Sequence, residues 1–213
     1  PTTSGVYGNR SDWRAALPAR KTVFQQFRDA GYFVSGAGKI FHHHLEGAFH
    51  DDASFDEFTP MRKQLYPGEK RNRAPDYGSR NTDWGVWPPE EADSIDFATV
   101  DASIASWKNA PRDRPVFLAC GIFKPHSPFF APELYHEGLS SLPLPPRRED
   151  DGSDLPSGAT RLMKPKRWFW NGMTELEQTQ PGSYSEFVRA YAACCRFADA
   201  QIGRLLDALD ANP

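Results

Sequence analysis

Three groups of residues have types and spacings that could carry chemistry. The first is Gly36-Ala37-Gly38-Lys39-Ile40-Phe41-His42-His43-His44, a lysine behind two glycines with a triple histidine after it. Glycine lets a backbone approach a ligand closely. A lysine ammonium is a compact charge suited to an anion. The pattern is not a P-loop, which needs an earlier glycine and a Ser or Thr after the lysine. Alone, it fits an ordinary turn with a surface lysine equally well. The second group is the triple histidine itself. In extended chain His42 and His44 share a side, and His50 or the nearby Asp51 and Asp52 could complete a metal set. No second ligand cluster stands at a recognised spacing, so surface or supporting histidines are expected and no metal ligand is assigned. The third is Lys124-Pro125-His126. Proline stiffens the turn and holds a cation and an imidazole in fixed relation. A histidine can donate to an anionic oxygen or pass a proton to a leaving alkoxide near neutral pH. The bland counterpart is a loop with exposed polar side chains.

Taken together, Lys39, one of the following histidines, Lys124 and His126 would form a cationic pocket at strand ends. Such a pocket suits a sulfate or phosphate ester, whose oxygens need fixed donors as charge develops. A nucleophile is missing from this set, and so is a carboxylate group for a divalent cation. The three cysteines, Cys120, Cys194 and Cys195, are odd in number and irregular in spacing. They do not make a disulfide framework and read as buried small hydrophobes.

The elements that must position these groups are partly legible. Val23, Phe24, Phe27 and Ala30 have helical spacing within residues 20–30, and Gly31 supplies a stop. Residues 32–37 then read as a short strand entering a glycine-rich turn. A helix is expected over 94–109, with Ile95, Ala98, Ile104, Ala105 and Trp107 on or near one side. The apolar run 114–122 is short enough for a buried strand, and prolines end it at Lys124-Pro125-His126. Ligand groups at the exit of a buried strand are what an open α/β sheet offers. Residues 51–92 and 140–182 show little periodicity and many prolines, and read as loop-rich insertions. Phe55, Phe58, Tyr66, Trp84 and Trp87 would anchor the first, and Trp168-Phe169-Trp170 sits in the second. The clearest helix runs from about 183 to 209, with Phe187, Ala190, Tyr191, Cys194, Phe197, Ala198, Ile202, Leu205, Leu206 and Leu209 in period.

Composition bounds the function classes. The chain has 213 residues, 39% hydrophobic and 25% charged, enough apolar content to offset the ordering of a core. The net charge of -3 advertises no nucleic-acid surface, and no apolar run reaches membrane-span length. No basic and apolar leader is visible. The 19 prolines and 13% aromatics fit long ordered loops of the kind that carry binding sites.

Gly31-Tyr32-Phe33-Val34 through Gly38-Lys39-Ile40-Phe41-His42 resembles the "GY-x-T…GK-x-x-H" segment of the type I sulfatases. Gly121-Ile122-Phe123-Lys124-Pro125-His126-Ser127-Pro128-Phe129, with Ala131-Pro132 and Tyr135, resembles their "KPH-x-PF-x-x-P" segment. The opening Pro1 to Tyr7 resembles the stretch after the sulfatase nucleophile motif. Ala200 to Leu209 resembles the helix before the later metal-binding strand. The resemblance runs almost end to end and is nearest to the iduronate-2-sulfatase-like branch.

That resemblance implies an α/β fold: part of an alkaline-phosphatase-like three-layer sandwich with a mostly parallel sheet and long insertions. It implies a sulfuric ester hydrolase with a calcium ion and a formylglycine made from a Cys or Ser in a C/S-x-P-x-R motif. Lys39 matches the lysine that holds formylglycine and a sulfate oxygen. His42 matches the histidine tied to hydrate deprotonation and sulfate release, a role that His43 or His44 could take instead. His126 matches the histidine that contacts sulfate and protonates the leaving alcohol, with Lys124 beside it in substrate binding. The C/S-x-P-x-R motif does not occur in these 213 residues. Residues 1–213 therefore read as the central portion of one catalytic domain, inactive alone, with nucleophile and calcium ligands outside. The implied partners are a sulfated carbohydrate or other small sulfate ester and the formylglycine-generating enzyme, with neither nucleic acid nor membrane. The implied location is exported: periplasmic, secreted or lysosomal. The alternatives are a phosphodiesterase or phosphonate-ester hydrolase of the same superfamily, or a non-catalytic carbohydrate- or anion-binding module stacking ligands on Trp84, Trp87, Trp168 and Trp170.

Overall fold

The computed structural model describes residues 2–9, 11–42, 50–63, 66–72, 82–145, 152–163, 173 and 175–211. The chain forms two compact units. The first takes residues 1–65, 91–123 and 198–213, and the second takes 66–90 and 124–197.

The first unit is an α/β layer structure. Strands β1 (Phe33–Gly38), β2 (Glu57–Pro60) and β4 (Val116–Gly121) make a parallel sheet in the order β2-β1-β4. Helix α2 (Val23–Asp29) is started by a capping box in which Thr22 and Gln25 satisfy each other's backbone N–H groups. It lays Phe24 and Phe27 on the sheet, where Phe27 stacks on Phe117 at 4.4 Å and Phe24 tilts against Phe55 at 4.8 Å. Before it, the short helix α1 (Trp13–Ala16) brings Trp13 to stack on Phe41 at 5.0 Å.

Helix α3 (Ile95–Asn109) covers the other face. Ala98, Ile104, Ala105 and Trp107 do not form its buried side. The buried residues are Ile95, Asp96, Thr99, Val100, Ser103 and Ser106, four of them polar. They are small or hydrogen-bonded, so the helix sits close to the strands. Ser106 Oγ lies 2.5 Å from Ser35 Oγ on β1 and 2.9 Å from Glu57 Oε2 on β2.

Two glycines expected to form a turn lie inside β1. A Cβ at Gly36 would meet Phe55 Cε1 at 2.7 Å and Phe58 at 2.9 Å. Gly38, at φ +77°, would meet the Gly121 carbonyl oxygen and Thr99 at 2.4 Å. They are glycines because neighbours crowd the strand, so the strand runs on to Gly38 and delivers Lys39 directly.

In the second unit, β3 (Trp84–Val86) pairs in parallel with β5 (Phe129–Ala131). Both β2 and β3 fall inside the stretch read as a loop-rich insertion. Each is only three or four residues long, and β2 buries no residue fully. Neither could show alternation. In the later stretch, helix α4 (Ser157–Met163) forms, and residues 175–179 are helical. Trp84, only 3% exposed, packs with Met173, Leu176, Ala190, Tyr184 and Phe187. It is a core residue and not a stacking platform. Trp168 and Trp170 lie outside the described residues.

Helix α5 (Ser183–Asp210) matches the expected element closely. Ala190, Cys194, Phe197 and Ala198 are buried, but Tyr191, Ile202 and Leu206 are exposed. Of the cysteines only Cys194 is buried; Cys120 and Cys195 are half-buried.

Candidate functional site

Lys39 stands immediately after β1 in the first unit. Its backbone N–H donates to the Gly121 carbonyl at 2.9 Å, one step beyond the Gly38–Gly121 register pair. Gly121 has no space above its Cα: a Cβ there would lie 2.4 Å from the Lys39 carbonyl carbon and oxygen and 2.6 Å from its nitrogen. The absence of a side chain at Gly121 thus sets where the Lys39 backbone lies. Lys39 is half-buried and His42, three residues on, is exposed. His43 and His44 lie outside the described residues.

Asp96, in the first turn of α3, is fully buried, and its Oδ1 accepts from the Phe123 backbone N–H at 2.7 Å. That bond fixes the chain leaving β4 one residue before Lys124. Sequence reasoning missed both Gly121 and Asp96. Gly121 stood in the motif as a mere letter, and nothing in the local pattern ties Asp96 to a residue 27 positions away.

Lys124 and His126 share one turn in the second unit. The Lys124 side chain is buried and its Nζ donates to the Pro128 carbonyl at 2.7 Å. This contact closes the turn, so Lys124 acts on its shape. His126 is exposed, with Nδ1 2.6 Å from the Ser127 carbonyl. A proton on Nδ1 donated to that carbonyl puts the neutral ring's lone pair on Nε2, the nitrogen that can take or return a substrate proton.

The residues weighed as a metal set are used otherwise. Asp51 takes a two-point bond from Arg14, at 3.0 and 2.6 Å, and accepts from Ser54 at 2.6 Å. His50 pairs with Asp52 at 3.0 Å and stacks on Phe58. Among the described residues no group of three or more His, Cys, Asp or Glu could hold a metal ion. Calcium therefore has no fitting ligand set among them.

Cys120, at the end of β4, is not a nucleophile in waiting. Burial pushes its thiol up from the ordinary range; a hydrogen bond with Ser103 pulls the other way, and the Asp96 charge adds to the rise. Since thiolate is the reactive form, Cys120 should be alkylated by iodoacetamide near neutral pH more slowly in the folded protein than in urea. Peptide mapping checks this, and equal rates would contradict it.

No family model matches the chain. Along its full length it is 29% identical, over 236 aligned positions, to a protein named sulfatase from Formosa agariphila, covering 44% of that protein. Over 99% of its length it is 27% identical to human iduronate 2-sulfatase, covering 40% of that enzyme. The mouse iduronate 2-sulfatase matches at the same 27%. Along its whole length the chain is thus similar to sulfatases. It spans less than half the length of these curated relatives. The parallel α/β sheet agrees with a sulfatase fold, and the family is one of sulfate-ester hydrolases. No helix among the described residues is long and apolar enough to cross a membrane.

Proposed function

We propose that the whole protein hydrolyses sulfate esters of a sulfated carbohydrate, and that this chain supplies its sulfate-handling cations and proton carriers. The observation that carries the reading is the end-to-end likeness to sulfatases, combined with Lys39 at the end of a parallel strand and a rigid turn bearing His126. In this reading Lys39 holds a sulfate oxygen, and its ammonium takes up charge as the S–O bond breaks. His126 Nε2, once protonated, gives its proton to the leaving alcohol. His42 serves the later release of sulfate. Lys124 shapes the turn that presents His126.

The nucleophile and the calcium ligands are assigned to sequence outside these residues, the nucleophile being a formylglycine installed by the formylglycine-generating enzyme. The compartment that goes with this reading is periplasmic, secreted or lysosomal. The test is release of inorganic sulfate from 4-nitrocatechol sulfate and from sulfated oligosaccharides by the full-length gene product, beside release from bis-4-nitrophenyl phosphate. Sulfate release by the full-length product and none by residues 1–213 is the expected pattern. Diester cleavage without sulfate release would replace the reading with a phosphodiesterase of the same superfamily.

A further inference from the structure

The backbone ladder that carries Lys39 stops there. Its N–H donates to the Gly121 carbonyl, and among the described residues neither Ile40 nor Phe41 makes a backbone hydrogen bond. His42 stands three residues beyond Lys39. The Phe41 ring grips the chain between them. It stacks on Trp13 at 5.0 Å with an interplanar angle of 17°, and meets Phe24 and Phe55 edge-on at 5.7 and 6.3 Å.

Trp13 lies on the four-residue helix α1, which buries no residue of its own. So short a helix does not hold itself, and Trp13 needs an anchor. Arg14 supplies it. The guanidinium carbon lies 4.4 Å from the Trp13 ring centre. Its Nε and Nη2 donate to Asp51 at 3.0 and 2.6 Å, and its Nη1 donates to the Arg20 carbonyl at 3.0 Å. Asp51 accepts in turn from Ser54 Oγ, which lies 2.7 Å from Thr22 Oγ1, the cap of α2. The indole N–H of Trp13 is buried with no hydrogen-bond partner among the described residues. A buried donor left unmade only costs free energy, so Trp13 serves here through its flat ring.

We propose that Trp13 and Arg14 are positioning residues which, by gripping Phe41, set where His42 stands. The proposal rests on the sulfatase reading, in which His42 serves the release of sulfate after the alcohol has left. Lys39 is set separately, by its bond to Gly121. Loosening the grip should therefore slow sulfate release and spare the earlier breaking of the ester S–O bond that frees the alcohol.

The test uses the full-length gene product and 4-nitrocatechol sulfate. Trp13→Leu should lower kcat about tenfold or more, since a misplacement of about 1 Å can cost up to about 10²-fold. In the first turnover nitrocatechol should appear ahead of inorganic sulfate, as in His42→Ala. Damage to folding alone would slow both products together. Trp13→Phe keeps a flat ring, drops the orphan donor and should turn over like the wild type. Arg14→Lys keeps the charge but loses the two-point bond. It should follow Trp13→Leu, and it replaces that variant if Trp13→Leu does not fold. Chymotrypsin gives a readout without activity: cleavage after Phe41 should rise with no rise at other aromatic residues. The proposal is overturned if the folded variant keeps its kcat, if both products slow together, or if cleavage after Phe41 does not rise. Absence of sulfate release by the unmutated protein would sink the sulfatase reading, and cleavage after Phe41 would then decide the grip alone.

Discussion

Lys39→Ala in the full-length gene product is expected to lower kcat for sulfate-ester hydrolysis by about 10²-fold or more, the loss seen when a transition-state oxyanion donor is removed. The expectation follows from position. Lys39 is delivered by the last residue of a parallel strand, and its backbone is tied to Gly121 at 2.9 Å. The side chain therefore starts from a fixed point and loses little freedom in reaching a sulfate oxygen. His126→Ala should cost a similar factor on esters with poor leaving groups. It should cost less on 4-nitrocatechol sulfate, whose leaving phenol needs little help from an acid. That contrast separates proton donation from a purely structural role. Unchanged turnover in both variants would mean that the reacting site is elsewhere.

Gly121→Ala is the second large effect. The added methyl carbon would sit 2.4 Å from the carbonyl carbon and oxygen of Lys39. Those atoms belong to backbone inside a sheet, so no side chain can swing aside. The expected result is a loss of about 3 kcal/mol in urea denaturation, at the upper end of overpacking costs, with turnover falling as Lys39 is displaced. Gly203→Ala is the counterpart. Gly203 lies within α5 and nothing stands within 4 Å of its missing Cβ. There the same methyl group should add roughly 0.5–1 kcal/mol, by relieving the unfavourable entropy of glycine in a helix. Equal effects at the two positions would refute the packing argument.

Much of the fold was legible where one pattern dominated. The expected helices at 94–109 and 183–209 appear as Ile95–Asn109 and Ser183–Asp210. Periodicity marks where both elements lie, although in the first it points to the wrong face. The short strands were hidden. Glu57–Pro60 ends in proline with only Phe58 turned inward, and Trp84–Val86 is three residues among turn formers. Lys39 and the Lys124-Pro125-His126 turn were picked out in the sequence as candidates because chemistry concentrates in few residue types. Their supports were not. Gly121 matters through Lys39, far away in sequence, and Asp96 through Phe123. Trp84 fills a core, as its reading as an anchor of the first insertion expects; only the stacking alternative fails there, because an aromatic that could stack on a ligand is the same residue type as one that fills a core.

The serines between α3 and the sheet have a further consequence. A helix that docks through a greasy stripe tolerates sliding, because one aliphatic contact resembles the next. The face that α3 turns inward has little such stripe, and its alignment rests on Ser106 meeting both Ser35 and Glu57. Shifted by one turn, those hydroxyls would be stranded in a dry interior at about 1–3 kcal/mol each. The polar contacts act as a keyed joint, which closes in one position and makes the misaligned assemblies uncompetitive.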